Sequence, residues 1–244
     1  VPQYLPEGTS ILDGRPKIGK SWLALDIAIS VATGGVCLGQ QCEQGNVLAL
    51  MLEDNDRRLQ RRMTKMLGAQ LETWPAGLIY ATGWPHLNAG GLDWIRDWIR
   101  KAAKPRLIVI DILERVRQRV ASKDQKSQYS ADYDALTALQ ELAAEAQLSI
   151  LVLHHQRKMG AEDLIDTLSG TLGLGGAVDI VLILGKDPQY EKFLYGRGET
   201  LKNLTSLSNR MNKADGRYLA PARRRLRHRS AIKSLPRWHA LANR

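Results

Sequence analysis

Cysteine is scarce. Only Cys37 and Cys42 occur among 244 residues, and their surroundings lack the spacing of a metal-ligand set. A disulfide-built fold is thereby excluded, and both are expected as free thiols in a loop, in a reducing cytoplasm. Long apolar runs are missing too: none reaches the roughly 18 residues that a hydropathic membrane span requires. The opening stretch, Val-Pro-Gln-Tyr-Leu-Pro-Glu-Gly, has neither an initiator Met nor the form of a signal peptide, so the chain reads as starting inside a longer protein. No internal repeat is visible. Acidic residues almost vanish towards the end: residues 201–244 carry three Lys and nine Arg against Asp215 alone, a balance of +11. The whole chain is +10, which leaves −1 for residues 1–200. The basic excess therefore belongs to the tail and says little about the rest of the surface. The length suits one α/β domain with an extension, divided here as 1–199 and 200–244.

What is present begins with Gly14-Arg15-Pro16-Lys17-Ile18-Gly19-Lys20-Ser21, which fits G-x-x-x-x-G-K-[ST] at every fixed position. Backbone N–H groups of such a loop curl around phosphate oxygens, and side chains at the glycines would obstruct that curl. Lys20 is expected to reach the β/γ-phosphates of ATP and Ser21 to ligate Mg²⁺. The nucleotide-binding stretch is taken to run on through Trp22, into a helix (22–32) whose positive end faces the anion. Ser10–Asp13 supplies the preceding strand that the motif requires.

Apolar runs without alternation at 47–52, 107–111, 149–153 and 179–184 read as parallel strands covered on both faces, with a weaker strand at 78–81 and another at 192–195. Helical periodicity fills 55–67, 91–103 and 130–146. The alternation implies a wound, mostly parallel α/β sheet flanked by helices. Two polar stretches, 114–129 and 156–168, interrupt it after strand ends, where ligands bind in such sheets.

Asp111 ends an apolar strand and suits the Mg²⁺-associated carboxylate. Glu53 and Asp54 follow another strand tip; either suits a base that polarises the attacking water, or both are solvated acids opening the next helix. His154 and His155 end a third strand, where one can touch the γ-phosphate or the water. Being adjacent, they point to opposite strand faces and do not readily chelate one metal. Arg197, in Tyr195-Gly196-Arg197-Gly198, is either an arginine finger reaching a neighbour's nucleotide or an ordinary surface residue. The glycine-rich segment 169–176 lacks the lysine of a second phosphate loop.

Taken in order, LPEGTSILDGRPKIGKSWLALDIAISVATGG, VLALMLEDNDRRLQRRM, LIVIDILERVR, LSILVLHHQRK and LSGTLGLGGAVDIVLIL resemble RecA-like ATPases of the RepA-type hexameric replicative helicase family over about residues 5–185. The resemblance implies a RecA-like core in a homo-oligomeric ring, with Glu53 as the base, Asp111 at Mg²⁺, and His154 or His155 as γ-phosphate sensor leading towards single-stranded DNA. An interface arginine is implied near Arg197, with Lys186 as a rival. Arg157 and Lys158 would contact DNA phosphates, and primase or other replication proteins would be partners. The resemblance stops at about residue 198. The expected activity is Mg-dependent ATP hydrolysis driving a plasmid- or phage-type helicase or helicase loader. The alternatives are a nucleotide switch without unwinding, a nucleic-acid-binding module using the basic tail, and a small-molecule kinase.

Overall fold

The computed structural model describes residues 4–68, 74–119, 125–155, 174–185 and 193–198. In chain order these form β1 (Gly8–Asp13), α1 (Lys20–Thr33), β2 (Val36–Cys37), β3 (Gln40–Gln41), β4 (Asn46–Met51), α2 (Asp56–Leu67), β5 (Leu78–Ala81), α3 (Gly91–Lys101), β6 (Pro105–Asp111), α4 (Leu113–Val116), α5 (Gln125–Ala146), β7 (Ser149–Leu153), β8 (Ile180–Gly185) and β9 (Phe193–Gly198). The main sheet has seven strands in the order β5-β4-β6-β7-β1-β8-β9. Every pairing from β5 across to β8 is parallel, and only the edge strand β9 runs antiparallel, to β8.

Strand pleating explains the uninterrupted apolar runs. Along β4, Val47, Ala49 and Met51 enter the core beneath α1 and α2, while Leu48 and Leu50 enter the one beneath α3 and α5. Along β6, Leu107 and Val109 divide from Ile108 and Ile110 in the same way. A strand with both faces covered has no place for a polar alternate. The parallel register brings the carboxyl ends of β1, β4, β6 and β7 to one edge of the sheet. All four chain segments that carry the candidate chemistry leave from that edge.

Helix ends follow local chemistry. Asn55 caps α2, its side chain accepting the Arg58 N–H at 2.9 Å. Gly34 closes α1 in the left-handed conformation and donates its N–H to the Ser30 and Val31 carbonyls. At its other end α1 begins after Gly19 with no side-chain cap; Trp22 and Leu23 donate to the Gly19 carbonyl, and the Lys20 and Ser21 amides remain for an anion.

Several details differ from the sequence reading: α1 starts at Lys20 rather than 22, and β9 runs on to Gly198 and so takes in Arg197. Residues 35–42 are a two-stranded hairpin rather than a loop, and Cys37 and Cys42 lie buried there as free thiols. The 114–129 stretch is partly helical: α4 occupies its start and α5 opens at Gln125, earlier than its apolar stripe. Asp179 precedes β8 instead of opening it, because its carboxylate accepts the Thr9 N–H at 2.7 Å. The stretches 156–168 and 200–244, with Arg157, Lys158 and Lys186, lie outside the described residues.

Candidate nucleotide site

The loop between β1 and α1 carries the strained backbone expected of a phosphate cradle. Gly14 has φ 152°, Lys17 63° and Gly19 114°. A Cβ on Gly14 would stand 2.5 Å from the Leu184 carbonyl oxygen of β8, so the first glycine is demanded by close approach as well as by conformation. Gly14 donates its N–H to Asp13 Oδ1 at 2.8 Å. Arg15, Pro16 and Lys17 are exposed, while Ile18 packs partly into the core and anchors the loop. Lys20 is 4% exposed, and its Nζ donates to the Gly14 carbonyl at 2.6 Å and the Arg15 carbonyl at 3.3 Å. Burial pulls the Lys20 ammonium below its usual range, against the opposing pull of Asp13, Asp111, Glu114 and Glu53.

Ser21, in the first turn of α1, lies beside Asp111 at the tip of β6. Burial pushes the Asp111 carboxyl up to about 6; the Ser21 hydroxyl opposes that rise, and the charges of Glu53 and Asp54 add to it. Its Oδ1 is buried without a partner. These donors fit magnesium. A hard divalent cation takes oxygen ligands and would satisfy the orphaned oxygen while favouring the ionised carboxylate that burial alone disfavours.

The adjacent acids Glu53 and Asp54 separate. Asp54 turns inward and is held by Arg62 Nη1 at 2.6 Å and Arg58 Nε at 3.3 Å. Burial raises its pKa against both arginines. Glu53 stays at the surface of the site, and both its carboxylate oxygens face His155 Nε2, at 3.2 and 3.4 Å. The two histidines separate as pleating requires. His154 is buried, with Nδ1 3.5 Å from Asp13 Oδ1 and Nε2 3.9 Å from Asp132 and 4.0 Å from Glu114. Burial alone would lower its pKa; the hydrogen bond to Asp13 and the charges of Glu114 and Asp132 outweigh it and raise it. Arg117 completes this cluster, with Nε 2.6 Å from Asp132 Oδ1.

A family model for an AAA domain (AAA_25) matches residues 1–161. The chain belongs to this AAA domain family. Within the AAA domain family its fold is RecA-like. It is similar to a solved ATPase domain of another protein, with a TM-score of 0.64 and 15% identity over 90% of this chain and 86% of that one. It is also similar to the KaiC-like protein PH0186 from the hyperthermophilic archaeon Pyrococcus horikoshii OT3, with a TM-score of 0.53 and 14% identity over 82% and 81%. At these identities the likeness is one of fold. No curated protein matches the sequence. The AAA domain is thus a RecA-like P-loop ATPase, and among its described residues no helix is long and apolar enough to cross a membrane.

Lys20, Ser21, Glu53, Asp111 and His155 lie along one edge of the sheet, at or just beyond the ends of its strands and the start of α1. His154 lies beside Asp13 and Glu114, whose charges also act on Lys20. The Trp22 ring meets α2, with the Arg62 guanidinium 5.4 Å and the Lys65 ammonium 5.7 Å from its centroid. Arg197 belongs to β9, opposite Val181 of β8 and on the far side of β1 from β7 and its histidines. Sequence reasoning missed Asp13 and Arg62. Asp13 had a signal, as the acid between a buried strand and the first P-loop glycine. Arg62 had none, being one of several cations on a helix that reads as solvated.

Proposed function

We propose that this domain is the Mg-dependent ATPase motor of a DNA-acting, ring-forming protein of the plasmid or phage replication type, a helicase or helicase loader. The support is the placement of Lys20, Ser21, Asp111 and the Glu53–His155 pair at one edge of the sheet, beside the loop between β1 and α1.

In this reading the loop from Gly14 to Trp22 wraps the phosphates of ATP with backbone N–H groups. Lys20, whose Nζ donates to the Gly14 and Arg15 carbonyls, would donate to the β/γ-phosphate oxygens, where its charge counts most in the transition state. Ser21 and Asp111 hold magnesium, which when bound neutralises charge on the phosphoryl oxygens. Glu53 accepts a hydrogen bond from the attacking water and orients it in line. His155 is the γ-phosphate sensor of the two: a phosphoryl oxygen placed beside Glu53 competes for the same Nε2, and the chain leads from His155 directly into the 156–168 stretch assigned to single-stranded DNA. His154 acts behind the P-loop, on Asp13. Arg197, on the antiparallel edge strand, is assigned to a neighbouring copy's nucleotide as an arginine finger. The basic stretch 200–244 adds an electrostatic contact to nucleic acid.

The substitution Lys20→Ala tests the assignment. ATP turnover should collapse while the circular dichroism spectrum is preserved; unchanged hydrolysis would remove it. A second reading is a nucleotide switch without unwinding, in which the Glu53–His155 contact at 3.2 Å is exchanged for one to the γ-phosphate. Strand displacement on forked DNA separates the two. DNA-independent ATPase activity without displacement would select the switch.

A further inference from the structure

Arg62 occupies a junction that the reaction so far described does not use. Its guanidinium is one-fifth exposed and bonds Asp54 Oδ2 at 2.6 Å. It also lies over the ring of Trp22, 5.4 Å from the centroid. Asp54 is the residue after Glu53, in the tight turn that follows β4. That turn is fixed by two backbone bonds: Leu52 N–H to the Asp111 carbonyl at 2.7 Å and Asp54 N–H to the Met51 carbonyl at 3.1 Å. Trp22 is the residue after Ser21, in the first turn of α1. One side chain from α2 therefore ties the turn bearing the candidate base to the helix bearing the candidate metal ligand.

Neighbouring cations do not share this position. Arg57 and Arg61 are exposed. Arg58 reaches Asp54 from an exposed position, at 3.3 Å. Lys65 covers Trp22 at 5.7 Å without an ion pair to Asp54 among the bonds described. A planar guanidinium suits the double duty, since it donates in its own plane and stacks through its face.

We propose that Arg62 is a positioning residue for hydrolysis. It holds Glu53 in register with Ser21 and its metal, so that base, metal and γ-phosphate keep one geometry through turnover. The inference rests on the nucleotide reading above and adds a residue to it. In-line displacement is sensitive to sub-ångström misplacement of the water-orienting group, whereas binding the triphosphate depends chiefly on Lys20 and the loop backbone, with which Arg62 makes no described bond; it meets only the side chain of Trp22 at the far end of that stretch.

The test is a kinetic double-mutant cycle on the full chain. Arg62→Met should lower kcat by roughly tenfold or more, with the Kd for a nonhydrolysable Mg·ATP analogue within about threefold of the parent. Trp22→Leu should lower kcat too, and the double variant should lose no more than the worse single change, because both break one link. Arg62→Lys keeps the charge and loses the stacked plane, and should recover part of kcat. Arg61→Met, one residue away and exposed, should change nothing. If Arg62→Met unfolds the chain by stranding the Asp54 carboxylate, Arg62→Met with Asp54→Asn removes both charges and carries the same kcat expectation. Unchanged kcat, strictly additive losses, or a loss of affinity matching the loss of kcat would each overturn the proposal while leaving the nucleotide reading intact. A parent protein that neither binds nor hydrolyses nucleotide would overturn both.

Discussion

At the scale of residues, two adjacent carboxylates acquire different tasks from their surroundings. Asp54 is buried between two arginines, whereas Glu53, more exposed, pairs with the His155 imidazole. Replacing each by its amide should separate the roles. Glu53→Gln should lower kcat by roughly 10²-fold or more and leave the affinity for nonhydrolysable nucleotide nearly unchanged, as single-turnover kinetics with equilibrium binding will show. Asp54→Asn should cost stability, at about 1–3 kcal/mol by calorimetry, because Arg58 and Arg62 lose their counter-charge but keep some access to water, and should lower kcat no further than Arg62→Met does, because it loosens the same tie. His154 gives a signed pH effect. Its folded pKa is raised, so its stabilisation is complete below the unfolded value of about 6.5 and is lost as pH climbs through the folded value. Denaturant midpoints for the parent chain should therefore fall more between about pH 6 and pH 8.5 than those of His154→Gln; parallel profiles would contradict the Asp13–His154 tie.

At the scale of elements, the buried strands are legible in sequence because doubly covered parallel strands leave no polar alternate, as Leu107 to Ile110 illustrate. The P-loop is legible because its chemistry admits few residues. The opposite fates of His154 and His155 follow from the two-residue pleat, yet their partners do not. Asp13, Glu114 and Asp132 are far apart in the chain and meet only once the strands are paired. Helix α5 starts earlier than its apolar stripe because its opening turns, where Tyr129 and Ser130 are exposed, need no apolar face. Arg62 stays hidden for the converse reason: α2 carries an ordinary-looking basic pattern, and only the packing of α2 over α1 selects one cation from it. The first P-loop glycine gives a prediction at this scale. Gly14→Ala places a methyl 2.5 Å from the Leu184 carbonyl at a φ of 152°. It should lower the thermal midpoint and weaken nucleotide binding together, and lower the midpoint more than Lys20→Ala, which gives up the bonds to the Gly14 and Arg15 carbonyls but forces no clash.

For the whole molecule, the charge asymmetry separates a near-neutral core from a strongly basic end. Residues 201–244 hold +11 of a total of +10. If that stretch contacts nucleic acid, its deletion should weaken single-stranded DNA binding and flatten the slope of log affinity against log salt, measured by fluorescence anisotropy. An unchanged slope would return the contact to the ATPase domain. Assembly belongs to the same scale: the motor reading expects a ring in the presence of nonhydrolysable nucleotide, visible by sedimentation. All of this depends on whether the loop from Gly14 to Ser21 grips a triphosphate with its magnesium, and isothermal titration of the parent chain and Lys20→Ala with a nonhydrolysable Mg·ATP analogue asks that directly. The account predicts saturable binding to the parent, weakened by roughly tenfold or more when the ammonium is removed; the absence of binding to the parent, or equal affinity in both proteins, would contradict it.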